Sequence, residues 1–151
     1  MGNRIVSQNT DSTNSEVKIK MTIKKFNPSA VVKPFNNAYH HCVVIPPNAE
    51  TLFISGQLGL NLDGSLPEDP QLEADKAWEN VIECVNEAGM GAEDIVKITA
   101  FLTDEGDYPY FANSRSKFLG DARPASTAIL VKALVKKEWR FEIEAVAAKS
   151  S

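Results

Sequence analysis

A carboxylate and two hydroxyls in the last third of the chain are the side chains best suited to chemistry. Glu142 lies in a stretch of alternating polar and apolar residues, and Ser126 and Thr127 follow a Pro-Ala pair. A carboxylate on a strand can orient or activate water as a general base, or it can pair with a cation at a subunit contact. A hydroxyl can donate one neutral hydrogen bond to a ligand, or simply belong to a small strand residue. Both interpretations stay open for Glu142 and Ser126, whereas Glu144 is more typical of a structural ion pair.

His40, His41 and Cys42 stand together and could suggest a metal site. Neighbouring residues of a strand point to opposite faces, so the two histidines cannot both bind one ion without a bulge. His40 and Cys42 share a face, but two ligands are too few for a metal centre. We interpret all three as pocket-rim or surface residues and expect no metal ion. The sequence also contains no nucleophile-elbow motif and no glycine-rich phosphate loop.

The composition is that of a globular protein with one core. The chain has 151 residues, of which 43% are hydrophobic and 24% are charged. The formal net charge is −4 and no basic tract is long, which argues against nucleic acid as the main partner. Two cysteines are too few for a disulfide framework, and no apolar run approaches membrane-spanning length. We therefore expect a cytoplasmic protein that binds neither nucleic acid nor membranes.

The N-terminal segment has a different character from the rest of the chain. Residues 1–17 are polar and lack the apolar core of a secretory signal. This composition predicts a disordered tail or a non-native extension. The remaining residues, 18–151, are predicted to form a single domain.

Hydrophobic periodicity in this domain predicts the element order β-β-β-α-β-α-β-β. Asp69 followed by Pro70 marks the start of the first helix, an apolar stripe follows, and Gly89 marks its end. The second and third strands, separated by prolines and an asparagine, are predicted to form a hairpin. The predicted strands cover residues 21–26, 39–45, 51–55, 95–103, 125–134 and 139–148, and the second helix covers residues 108–119.

The last strand indicates how these elements are layered. Two helices can cover only one face of such a sheet. One face of this strand is apolar, and the other carries Arg140, Glu142 and Glu144. If the apolar face packs on the helices, the opposite face of the sheet would leave a large exposed patch on a monomer. A symmetric oligomer with the carboxylates in clefts between subunits is the economical arrangement.

Six short motifs, in order and in register, carry a resemblance to a known family. They are Ser55-Gly56-Gln57, Glu87-Ala88-Gly89, Asp94-Ile95-Val96-Lys97-Ile98-Thr99, Phe101-Leu102-Thr103-Asp104, Arg123-Pro124-Ala125 and Glu142-Ile143-Glu144-Ala145-Val146-Ala147. Together they make residues 23–148 resemble the RidA/YjgF family. The resemblance implies an α+β, chorismate-mutase-like fold with a mixed sheet and two helices on one face. It also implies a homotrimer with pockets between protomers.

The resemblance further implies a reaction. Active members of the family hydrolyse reactive enamines and imines, such as 2-aminoacrylate and its imine tautomer, to keto acids and ammonia. They use no metal and no organic cofactor, so none is expected here. By position, Glu142 corresponds to the acidic residue of the family's site and Tyr39 to the aromatic residue near its mouth. Ser55 and Gly56 correspond to the strand-end backbone of that site.

Position 126 is where this chain departs from the family pattern. The family carries there an arginine that binds the substrate carboxylate, and this chain has Ser126, followed by Thr127. Losing charge-assisted hydrogen bonds costs about 1.5–3 kcal/mol of substrate binding. Either the ligand has no carboxylate at that spot, or Arg123, Arg140 or Arg115 supplies the charge. Arg140 can alternatively pair with Glu142, with which it is expected to share a face. The family's helical asparagine aligns with Ala112, one residue before Asn113.

Three functions therefore compete at the level of the sequence. The first is a hydrolase that deaminates a reactive enamine or imine other than the usual 2-aminoacrylate-derived one to a carbonyl compound and ammonia, with Glu142 as its catalytic residue. Its substrate-binding residues would be Ser126, Tyr39, Ser55, Gly56, Thr127 and Arg123. The second is a non-catalytic trimer that binds a small metabolite. The third, a ribonuclease or translation inhibitor, is disfavoured by the acidic net charge.

Overall fold

The computed structural model describes residues 22–150 of the chain. The predicted tail at residues 1–17 lies outside the described residues. The six strands are β1 (Lys24–Phe26), β2 (Cys42–Val44), β3 (Glu50–Leu58), β4 (Ile95–Leu102), β5 (Ala125–Leu130) and β6 (Phe141–Lys149). The helices are α1 (Pro70–Glu87) and α2 (Tyr108–Leu119), with one-turn 3-10 helices at Phe35–Asn37, Ala92–Asp94 and Glu105–Asp107. The predicted order of strands and helices is confirmed.

Four strands form a mixed sheet in the order β3-β6-β4-β5. Strand β6 is antiparallel to both of its neighbours, whereas β4 and β5 run parallel. Strands β1 and β2 form a separate antiparallel pair. The predicted hairpin between the second and third strands is therefore wrong. Pro46 and Pro47 lack backbone N–H donors and end the β2 ladder, while β3 finds a longer partner in β6.

Helix α1 begins and ends where the sequence predicts. The Asp69 carboxylate accepts hydrogen bonds from the backbone N–H groups of Gln71 (2.8 Å) and Leu72 (3.1 Å), and Pro70 takes the first position of the helix. Gly89, just beyond the C-terminal end, has a φ of +69°, a conformation that favours glycine. The apolar stripe of the helix is buried, with Trp78 at its centre. Among residues 22–150, no helix combines the length and the hydrophobicity needed to cross a membrane.

Both helices pack on the same face of the four-stranded sheet, as the resemblance implies. The hydrophobic core joins residues of α1 and α2 to alternate residues of β4 and β6. On β6 those residues are Phe141, Ile143, Ala145 and Ala147, and each is buried. Glu142 and Glu144 alternate with them and therefore face away from the helices. We call the side of the sheet that carries these two carboxylates the outer face.

Candidate active site

A cavity of about 570 Å³ opens between α2, the start of β5 and the loop at residues 35–39. Four of the residues predicted to bind substrate line it, namely Tyr39, Arg123, Ser126 and Thr127. Its volume lies in the range typical of small-molecule sites. The cavity therefore brings together more than half of the substrate-binding residues that the sequence predicts.

Helix α2 supplies the far wall of this cavity. Tyr108, Phe111, Ala112 and Arg115 follow one another at helical spacing and all border the cavity. Tyr108 is half exposed and borders the cavity. The aromatic residues and the arginine at helical spacing on this helix are the sequence signal that could have indicated a cavity wall.

Arg115 is the most buried charge of the site, with an exposed fraction of only 8%. Its guanidinium donates a hydrogen bond to the backbone carbonyl of Ala38. Burial lowers the pKa of Arg115, and the positive charge of Arg123 lowers it further. Arginine nonetheless keeps its proton in proteins, so the cavity contains a desolvated positive charge.

Arg123 fixes the loop that closes the cavity. Its Nε donates to the carbonyl of Asn37 at 2.8 Å, and its Nη1 donates to the carbonyls of Gly120 at 2.7 Å and Ala122 at 3.0 Å. Asn36 and Asn37 both have positive φ values, near +51° and +52°, which asparagine tolerates better than most residues. Arg123 therefore connects this left-handed segment to the turn between α2 and β5.

The predicted second strand is shorter than expected, because residues 39–41 belong to the same loop. His40 donates its backbone N–H to the carbonyl of Pro124 (3.3 Å), and its Nδ1 lies 2.8 Å from the carbonyl oxygen of Arg123. His41 contacts the carbonyl of Val32 through Nε2, at 2.7 Å. Tyr39 packs edge-on against the ring of His41, with centroids 5.5 Å apart. The two histidines thus position the loop that presents Tyr39. Within residues 22–150, no group of three or more His, Cys, Asp or Glu side chains could hold a metal ion.

Glu142 and Gly56 form a second group, away from the cavity, and Ser55 precedes Gly56 on β3. Glu142 is paired in the sheet with Leu58 of β3 and with Phe101 of β4, on the outer face. A Cβ atom at Gly56 would lie 2.0 Å from Oε1 of Glu142, so the missing side chain makes room for the carboxylate. None of the residues 22–150 donates a hydrogen bond to Glu142 or forms an ion pair with it. The carboxylate is therefore available to water or to another molecule.

The two groups lie on opposite faces of the sheet. Ser126 is paired with Ile98, which is fully buried under the helices, so both share the helical side. Glu142 lies on the outer face and two strands away from β5, a lateral separation of about 10 Å. A single chain therefore does not bring the carboxylate of Glu142 to the cavity of Ser126.

Thr127 lies between the two groups. It borders the cavity, but its Oγ1 accepts a hydrogen bond of 2.9 Å from Nζ of Lys97 on the outer face. Burial lowers the pKa of Lys97, against the opposing effect of the carboxylate of Glu144. The Thr127 hydroxyl is thus already engaged, which distinguishes it from Ser126.

Arg140 does not pair with Glu142, contrary to the sequence-based alternative. Its guanidinium lies 3.6 Å from the carboxylates of Glu73 and Asp107. Arg140 precedes the first residue of β6, so the alternation of faces that holds within the strand does not extend to it. Arg140 also lies outside the cavity, whereas Arg115 and Arg123 border it.

The helical position aligned with the family's asparagine contributes no amide to the cavity. Ala112 borders the cavity, whereas Asn113 is exposed and donates a long hydrogen bond of 3.4 Å to the side chain of Gln71. The direct alignment with Ala112 is therefore the one that the geometry favours. A shift to Asn113 would place the amide outside the cavity.

Several known proteins are similar to this chain in sequence or in fold. Residues 30–149 match the family model described as Endoribonuclease L-PSP. The 2-iminobutanoate/2-iminopropanoate deaminase of Bos taurus is 36% identical over 99 residues, which are 64% of this chain and 72% of that protein. The Rid family protein YyfB of Yersinia pestis shares the fold with a TM-score of 0.74 and 25% identity, over 85% of this chain and 100% of that chain. Escherichia coli TdcF, crystallised with bound serine, has a TM-score of 0.62 and 27% identity, over 84% and 100% of the two chains.

Proposed function

This chain belongs to the Endoribonuclease L-PSP family, also called the RidA/YjgF family, and we propose that it hydrolyses a reactive enamine or imine to a carbonyl compound and ammonia. The name of the bovine relative, a 2-iminobutanoate/2-iminopropanoate deaminase, supports this class of reaction. The cavity beside Ser126 supports a binding site for it, and the carboxylate of Glu142, which has no partner among residues 22–150, supports a base. The substrate differs from the usual one, because Ser126 stands where the carboxylate-binding arginine of the family would be.

The chemistry needs a water molecule, a base and a way to polarise the substrate. An enamine first tautomerises to its imine, and water then adds to the carbon of the C=N bond. The carboxylate of Glu142 accepts a proton from this water and returns it to the nitrogen, which gives a carbinolamine. It then takes the proton of the carbinolamine hydroxyl and passes it to the nitrogen, so that the C–N bond breaks, ammonia leaves and the C=O bond forms. The Ser126 hydroxyl and the backbone near Ser55 and Gly56 would donate hydrogen bonds to the substrate. This balance of bonds and protons requires no redox cofactor.

The position of the two groups on opposite faces supports an oligomeric active site. We propose a homotrimer in which Glu142 of one copy meets the cavity of the next. The outer face has the apolar surface that such a contact would bury, because Phe53 is 78% exposed and Val146 is only partly covered. Strand β5, at the edge of the sheet and beside the cavity, leaves its outer hydrogen-bonding groups open to a neighbour.

A rate measurement with a matched control tests the proposal. Glu142→Gln should lower the rate of ammonia release from a freshly generated 2-imino acid by about a hundredfold or more, as expected for loss of a general base. Glu144→Gln removes the same charge from the same face of the same strand and should retain most of the rate. Equal losses in both variants would show that the rate depends on the negative charge of the outer face and not on the carboxylate of Glu142 in particular. An unchanged rate for Glu142→Gln would exclude its role as the base.

A second candidate function is supported by the serine at position 126. A trimer that binds a small metabolite without turning it over needs the cavity but not the base. Ligand binding that is unaffected by Glu142→Gln, in a protein with no rate above that of buffer, would favour this function. The family description names an endoribonuclease, but a net charge of −4 gives the chain no electrostatic attraction for RNA.

A further inference from the structure

We propose that Arg115 and Arg123 form a carboxylate-binding site in the cavity beside Ser126, and that its ligand is a 2-imino or 2-keto acid with a bulky apolar group. The imino-acid identity of the substrate rests on the proposed function. The carboxylate site itself does not, because it is inferred from the charges of the cavity. In this proposal, the positive charge that binds the carboxylate comes from α2 and from the α2–β5 turn rather than from position 126.

The cavity contains an unbalanced positive charge. Arg115 and Arg123 both border the cavity, and none of the described residues that line it is acidic. Arg115 is more than nine-tenths buried, yet within residues 22–150 only the Ala38 carbonyl accepts a hydrogen bond from its five N–H donors. A buried guanidinium without a counter-charge is costly, and a bound carboxylate would provide one.

Arg115 and Ser126 lie on different walls of the cavity. Arg115 lies on α2, and Ser126 lies on β5, the other wall of the same cavity. A carboxylate held by Arg115 would sit against the helix rather than against the strand. The small side chains of Ala112, Ser126 and Ala128 then leave open the space that a large residue at position 126 would fill.

The walls of the cavity indicate the chemistry of the rest of the ligand. Phe35, Tyr39, Tyr108 and Phe111 contribute aromatic surface to a cavity of about 570 Å³. A cavity of this size and lining suits a ligand much larger than a three-carbon acid. Aromatic walls stabilise flat or bulky apolar groups through burial and ring stacking. The chemical class that fits both features is a 2-imino acid with an aromatic or large aliphatic side chain, together with the matching 2-keto acid.

Calorimetric titration of the full chain with product analogues tests the site without requiring turnover. Phenylpyruvate should bind at least about tenfold more tightly than pyruvate, which lacks the bulky group, and than 1-phenylpropan-2-one, which lacks the carboxylate. Arg115→Gln should weaken phenylpyruvate binding by roughly tenfold to a hundredfold, and Arg123→Gln by a smaller factor. Lys117→Gln is the matched control, because Lys117 is on the same helix but pairs with Asp75 outside the cavity. That variant should bind phenylpyruvate as the wild type does.

A measurement on the wild-type protein covers the case in which Arg115→Gln loses its fold. Two-dimensional NMR of the arginine Nε–Hε groups should show phenylpyruvate shifting the signals of Arg115 and Arg123, and 1-phenylpropan-2-one leaving them in place. Unshifted signals at saturation, or equal binding of the three probes, would overturn the proposal. Arginine-dependent binding in a protein without turnover would support this site and refute the proposed deaminase. Turnover in a protein whose ligand binding does not depend on these arginines would support the proposed deaminase and refute this site.

Discussion

The position of the Glu142 carboxylate depends on Gly56, a residue without a side chain. The backbone of β3 passes so close to the carboxylate at Gly56 that a Cβ there would overlap its Oε1 atom. The sheet register is interrupted at this point, between Ile54 and Gln57, which lets the strand bend around Glu142. The conformation of the proposed base is therefore set by the neighbouring strand as much as by its own.

Gly56→Ala should reduce turnover without unfolding the protein. The new methyl group would displace the Glu142 carboxylate, which lies at the end of a flexible side chain and can rotate away at little cost in stability. We expect the rate of imine hydrolysis to fall by about tenfold or more, with an unfolding free energy within ~1 kcal/mol of the wild type. Enzyme assays and urea unfolding measure the two effects.

A double-mutant cycle provides the control for this prediction. Adding Gly56→Ala to Glu142→Gln should cause little further loss of rate, because both changes act through the same carboxylate. If the rate losses of the two single variants multiply in the double variant, Gly56 instead contributes to the rate through its backbone or through packing.

The residues of the cavity could be predicted from the sequence, but their relation to the base could not. Ser126, Tyr39 and Arg123 were expected together, and the cavity unites them. Glu142 was expected in a cleft between subunits, and within one chain strand pairing puts Glu142 and Ser126 on different faces of the sheet. The sequence also does not predict which of the three candidate arginines borders the cavity, because the spacing of residues does not determine where the end of a long, flexible side chain lies.

At the scale of elements, the sequence predicts where a helix begins and ends, but it does not predict which strands pair. The start of α1 follows from Asp69 and Pro70, which act within one turn of the helix. The partner of β2 is not set by the residues next to it: β2 pairs with β1 and β3 pairs with β6, so the sequence-based hairpin was wrong. Helix ends are encoded by neighbouring residues, whereas sheet order is decided by the packing of the whole domain.

A buried carboxylate joins α1 to the start of β6. Glu73 is 1% exposed, and its Oε1 accepts a hydrogen bond of 2.7 Å from the backbone N–H of Arg140. Burial raises the pKa of Glu73, although the hydrogen bond and the positive charge of Arg140 oppose the rise. The folded protein therefore binds the proton of this group more tightly than the unfolded chain does.

This shift predicts how stability depends on pH. A carboxyl group with a raised pKa in the folded state contributes its full stability below its unfolded pKa, near 4.5, and loses it as pH rises through the folded value. Glu73→Gln keeps an oxygen that can accept from Arg140 but cannot ionise. The variant should therefore gain stability relative to the wild type as pH rises from about 4.5 toward neutral.

Urea unfolding of both proteins across this pH range measures the effect. Glu83→Gln, on the exposed side of the same helix, is the control and should follow the pH dependence of the wild type. A difference between Glu73→Gln and the wild type that is constant with pH would show that Glu73 does not titrate in this range.

At the scale of the whole molecule, the sheet separates the two halves of the proposed reaction. The helical side holds the cavity and its guanidiniums, and the outer face holds the carboxylate of Glu142. A fold with both helices on one side can unite these halves only through contact between copies. The proposed trimer is thus a requirement of the chemistry, and it can be tested by mixing copies that are defective in different halves.

Co-expression of two inactive variants should restore activity if the site is shared. Glu142→Gln removes the base but keeps the cavity, and Ser126→Trp fills the cavity but keeps the base. In mixed oligomers with equal amounts of both, half of the cavities and half of the carboxylates are intact, so about a quarter of the sites should work. Each variant alone should show only background ammonia release. A mixed oligomer, verified by mass, that stays inactive would place the site within one chain, and a light-scattering mass of one chain would exclude the shared site altogether.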